Sequence, residues 1–209
     1  MDEAGRAAAL AEIRRKLALL KQVEAEHGFG VVIEEQTAPL EPIPELPAGV
    51  IEVYRVVRRL EGSYFRFRQP PEIASPAAFR DRELVPYDLL GHPLSIGWEI
   101  RDIPADLVAE RDVGQPIYLD VDEGYVYHVN TDEYVLHVKG AYDGDIEVDE
   151  FAPDIVSFFD TCVLGPDYPD VVETVCGPFH RDHRVRKGRF KGQYTDTWLR
   201  LLVAAGLAS

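Results

Sequence analysis

The sequence predicts an α+β domain with N-terminal helices, a central and mainly antiparallel sheet, and C-terminal helices packed on that sheet. Three observations predict it. Apolar residues recur at helical spacing near the start of the chain, short β-prone runs separated by tight-turn residues fill its centre, and a phenylalanine-rich helical run follows them. At 209 residues, 46% hydrophobic and 28% charged, the chain has the length and composition to bury a core without disulfides or metal.

Residues 4–26 make the first predicted helix, with Leu10, Ile13, Leu17, Leu20 and Glu24 on one face and Gly28 as its stop. A short β-prone run covers residues 30–33. Pro39, Pro42, Pro44 and Pro47 then form a connection that holds neither a helix nor a central strand. The spacing of Ile51, Tyr54, Val57 and Leu60 predicts a second helix, opened by Pro47 and closed by Gly62. Residues 63–68 alternate as a half-buried strand, and residues 69–93 are loop-rich, with a helical turn or an edge strand left open over 83–90. Four runs read as a meander over residues 94–101, 116–121, 124–130 and 134–139. Asp122, Glu123 and Gly124 supply one tight turn and Asn130, Thr131 and Asp132 another.

Past the acidic residues 143–150, Phe151, Ile155, Phe158 and Phe159 lie on a helix ending at Gly165, and the acids complement its dipole. A Pro/Asp-rich turn at residues 166–170 and a last short helix near residues 195–207 complete the chain. Residues 1–177 are read as one domain, and residues 178–209 as a basic segment and short helix appended to it.

Charge divides along the same line. From Pro178 onward seven Lys or Arg face two Asp, a balance of +5; the whole chain carries −15, so residues 1–177 carry −20. Such a body repels nucleic-acid phosphates and anionic lipid and steers cationic proteins toward itself. The first thirty residues hold no basic start followed by a long apolar run, and no stretch reaches the length a bilayer needs. With two cysteines, Cys162 and Cys176, a reducing cytoplasm is the expected location.

Three ordered groups of residues resemble the SUKH superfamily. Leu46-Pro47 with the run to Leu60-Glu61-Gly62 is similar to that family's early segment. Ile117-Tyr118-Leu119-Asp120, Glu123-Gly124 and Val126-Tyr127-His128 are similar to its central stretch. Phe151-Ala152-Pro153-Asp154-Ile155-Val156-Ser157-Phe158-Phe159, continuing to Leu164-Gly165 and Tyr168, looks like its closing helix. The resemblance covers roughly residues 40–170. It implies an α+β protein-binding module without shared catalytic residues, of which many bacterial members are immunity proteins that neutralise polymorphic toxins.

Chemistry-bearing clusters are weighed against that expectation. Cys162, Cys176, His180 and His183 have the ligand types of a tetrahedral zinc site, but no close Cys-x-x-Cys pair, and Cys162 falls where an inert buried thiol is expected. His180, Asp182 and His183 lack further ligands, and Arg184, Arg186, Lys187, Arg189 and Lys191 read as a solvated, flexible basic segment that can touch the acidic body. Asp120, Asp122 and Glu123 fail the spacing of a calcium loop and read as a polar hairpin turn. No phosphate loop, nucleophile elbow or His-Glu-x-x-His helix occurs.

The expectation is therefore a protein that is not an enzyme, takes no cofactor or metal, and binds a protein partner such as a basic toxin domain. Asp143, Asp145, Glu147, Asp149 and Glu150 are the candidate partner-binding acids, with Tyr125 and Tyr127 as aromatic anchors. The alternative is a metal-dependent or RNA-binding protein using residues 180–191.

Overall fold

The computed structural model describes residues 2–44, 46–74, 93–101, 114–141 and 147–209. Seven strands pair antiparallel in chain order: β1 (Val32–Glu35), β2 (Val57–Glu61), β3 (Phe65–Phe67), β4 (Pro93–Glu99), β5 (Pro116–Asp120), β6 (Val126–Val129) and β7 (Val148–Ala152). The helices are α1 (Glu3–His27), α2 (Ala48–Tyr54), α3 (Pro70–Ile73), α4 (Thr131–Val138), α5 (Ile155–Ser157), α6 (Tyr168–Cys176), α7 (Pro178–Arg181) and α8 (Thr197–Ala204). A π-helical turn, Phe158–Val163, continues α5. The fold is α+β, as predicted, and among the described residues no helix is long and apolar enough to cross a membrane.

The first helix follows its sequence signals. Asp2 caps it by accepting from the Gly5 amide at 2.7 Å, and Gly28 ends it at φ 63°, a left-handed conformation that glycine adopts without a Cβ clash. Its inward face carries Ile13, Leu17 and Leu20 into the main core, where they meet Val50 and Tyr54 of α2, Phe158 and Phe159 of the π turn, Val172 of α6 and Leu201 and Leu202 of α8. The basic C-terminal region is thus anchored by a helix that shares this core.

Four expectations are corrected. The apolar spacing read as a helix through Leu60 belongs to two elements: α2 stops at Tyr54 and Val57 begins β2. A register shift opposite Glu34 and Glu35 leaves Arg58 unpaired, so Val57 and Leu60, three apart, are both buried as they would be on a helix. Residues 134–139 are not a strand, because Asn130 caps α4 by accepting from the amides of Asp132 at 3.0 Å and Glu133 at 3.3 Å. The last strand comes instead from Val148–Ala152, and α5 starts only after Asp154, whose carboxylate accepts from the Ser157 amide. Asp149 and Glu150 therefore lie on strand β7, not at a helix start. The Pro/Asp turn also runs directly into α6, with Pro169 in its first turn. Residues 83–90 lie outside the described residues.

The π turn is fixed from two sides. Lys16 of α1 donates to the Asp160 carboxylate at 2.6 Å and to its carbonyl at 2.8 Å. A Cβ at Gly165 would stand 2.7 Å from the carbonyl oxygens of Asp160 and Thr161, so the chain can turn out of the helix there only without a side chain.

Asp196 closes the fold. Its carboxyl is buried, accepts from the Tyr168 hydroxyl at 2.7 Å and the Trp198 amide at 2.9 Å, and is pushed up to about 6 from an ordinary 3.8, burial being the largest cause. Between pH 3.8 and 6 the unfolded chain loses this proton while the folded chain keeps it, so rising pH removes stability across that window. The stability difference between the wild type and Asp196→Asn, measured by denaturant melts from pH 3.5 to 7.5, should shift against the wild type from pH 4 to 6 and level above. A pH-independent difference would contradict the burial of an ionisable carboxyl here.

Candidate functional site

β7 is the last strand of the sheet, and among the described residues no strand pairs along its outer side. Beside it opens a groove of about 380 Å³ floored by Cys162 of the π turn and walled by α6. The groove is lined by Val148, Phe151 and Val171 and by the acidic residues Asp149, Glu150, Asp167 and Asp170. Val148 is 38% exposed at the mouth.

The predicted acids separate according to the pleat. Asp143 and Asp145 lie outside the described residues. Glu147 is exposed just before β7, and Asp149 is paired with His128 while Glu150 is paired with Tyr127. Successive strand residues face opposite ways, so the acidic run does not form one continuous patch.

The two tyrosines also differ from expectation. Tyr125 is half-buried, and its phenol is raised first by burial and then by Asp120, Glu123 and Glu150. Tyr127 is fully buried between Tyr118 and Tyr125, at ring-centroid distances of 5.5 and 5.1 Å, on the sheet face opposite the main core. Tyr127 is therefore corrected from a surface anchor to a packing residue. The exposed aromatic is Phe179 of α7, 90% accessible, on a turn that Arg181 pins to Asp170 and Glu173 of α6. Sequence reading missed it because Pro178 and the basic residues after it read as an irregular tail.

The groove's chemistry suits binding. Burial pushes the Cys162 thiol up to about 11, and its Sγ contacts the Phe151 carbonyl at 3.5 Å, so it is neutral at physiological pH and a poor nucleophile. Cys176 is raised further, again chiefly by burial, and sits near Glu99 and Asp196, away from the groove lining. His180 and His183 contact each other edge to face at 6.2 Å. Among the described residues no three His, Cys, Asp or Glu side chains group as metal ligands.

Asp120 makes the hairpin turn expected of it, accepting from the amides of Asp122 at 2.9 Å and Glu123 at 2.7 Å. The basic segment, expected to be flexible, is a hydrogen-bonded arm. Val185 donates to the Gln193 carbonyl, Thr195 donates to the His183 carbonyl, and Arg184 stacks on the Tyr194 ring at 3.4 Å. It does touch the body: Arg189 donates to the carbonyl of His27 at the end of α1.

No family model, no curated protein and no solved structure shows a significant match to this chain.

The Tyr127 hydroxyl is buried and has no hydrogen-bond partner among the described residues. Removing an unsatisfied buried group relieves its desolvation cost, so Tyr127→Phe should hold or raise stability by about 1 kcal/mol in denaturant melts. A loss of that size would show that the hydroxyl is bonded.

Proposed function

We propose that this chain is a non-catalytic protein-binding module whose partner lays a basic segment into the groove beside β7. One observation carries the reading: along the open side of an edge strand lies a groove lined by apolar residues and by the acids Asp149, Asp167 and Asp170. An extended segment added to such an edge gains main-chain hydrogen bonds, and its alternate side chains reach the flanking surface. Apolar side chains of the partner meet Phe151 and Val171, while Lys or Arg meet Asp149, Asp167 and Asp170. Phe179 supplies an exposed aromatic contact.

The SUKH-like order of motifs makes the specific form of this proposal a cytoplasmic immunity protein that neutralises a bacterial toxin. A body of −20 steers a basic toxin domain toward the groove, accelerating encounter more than it deepens affinity. The rival role for residues 180–191 in metal or RNA binding has less support, because Arg181 and Arg189 are engaged within the protein.

The test is affinity capture from the native host's lysate, with mass spectrometry to identify the partner and biosensor kinetics to follow it. A basic protein should be retained at low salt. Combined Asp149→Ala, Asp167→Ala and Asp170→Ala should slow its association about tenfold, and the difference should vanish at about 0.5 M salt. Association unaffected by the three changes would remove the groove from the interface.

A further inference from the structure

A second cleft has the opposite character. It lies between the end of α1, the arm of residues 182–195 and α8, and is an open cleft of about 280 Å³, at the small end of ligand-sized sites. Its lining combines the cations Arg184 and Arg200 with the apolar surfaces of Phe29, Tyr194, Val203 and Ala204.

Arg200 is the central group. It is 6% exposed, and its Nε and Nη2 donate to the Tyr194 carbonyl at 3.0 and 2.7 Å. Its guanidinium lies 4.4 Å from the Phe190 ring centroid and 5.6 Å from that of Phe29. Among the described residues no acceptor meets Nη1 and no carboxylate stands within ion-pair distance. Asp196, the acid whose field reaches it, is committed to Tyr168 and Trp198. Its hydrogen bonds go to the Tyr194 and Thr195 carbonyls and no carboxylate pairs with it, so a ligand anion would supply the counter-charge it lacks.

Arg184 stands on the same cleft, held in place by its stack on Tyr194. The two guanidinium groups present forked donors that match a carboxylate. The remaining lining is largely hydrocarbon, and the protein's negative field disfavours multiply charged ligands such as nucleotides.

We propose that this cleft binds a carboxylate carried on an apolar body. The carboxylate pairs with Arg200 and Arg184, and the body rests on Phe29, Val203 and Ala204. A free organic acid and the C-terminal residue of a peptide share this chemistry.

The full chain should be titrated by calorimetry with phenylacetate, octanoate, N-acetyl-leucine, inorganic phosphate and adenosine monophosphate. At least one of the three carboxylates should bind saturably at one site, and phosphate and the nucleotide should not. Arg184→Gln and Val203→Asp, both at exposed positions, should each weaken binding about tenfold or more while leaving the circular dichroism spectrum unchanged. Preference for N-acetyl-leucine assigns the source to a peptide terminus, and preference for phenylacetate or octanoate assigns it to a free acid. The proposal is overturned if no carboxylate saturates the site, if phosphate or the nucleotide binds as tightly, or if neither variant weakens binding.

Discussion

The buried carboxylate of Asp196 joins three parts of the chain that are distant in sequence. It caps α8 through the Trp198 amide and holds the Tyr168 hydroxyl at the start of α6. Ser63, in the turn between β2 and β3, approaches it at 3.4 Å and accepts from the Thr197 amide. Trp198, the residue it caps, donates its indole N–H to the Val163 carbonyl at the end of the π turn. A charged group at such depth is tolerable only because its acceptor positions are filled, and that requirement fixes where α6, α8 and the π turn can sit.

Both candidate binding sites are consequences of that placement. α6 and the π turn form the wall and floor of the acidic groove, while α8 supplies one side of the arginine cleft. A chain that is acidic over its first 177 residues and basic afterwards thus folds into surfaces of opposite charge. The groove offers carboxylates among apolar residues; the cleft offers guanidinium groups among others. Their chemistry assigns them different ligands: a cationic segment of a protein at β7, and a small anion at Arg200.

Much of the fold was legible in the sequence because its signals are local. Gly28 and the stripe from Ile13 to Leu20 define α1 with no tertiary information, and Asp122-Glu123-Gly124 defines the β5–β6 turn. The failures have physical causes. Val57 and Leu60 are three residues apart, and a bulge at Arg58 lets a strand imitate helical spacing. Tyr134 and its neighbours looked β-prone, but the Asn130 cap decided for helix. The candidate site was legible only in part: acidic composition located Asp149 and Glu150 near an interface, whereas the pairing of β6 with β7 decided which way each faced. Arg200 could not be singled out, because its burial depends on Phe29 and Phe190, which lie far away in sequence or on another element.

The claim on which the functional account rests is that a partner protein occupies the open side of β7. Hydrogen–deuterium exchange of the full chain, with and without the captured partner, addresses it directly, since main-chain pairing along an edge strand slows exchange of its amides. The account predicts new protection confined to residues 147–152 and 167–174. Protection in residues 182–195, with β7 unchanged, would contradict it.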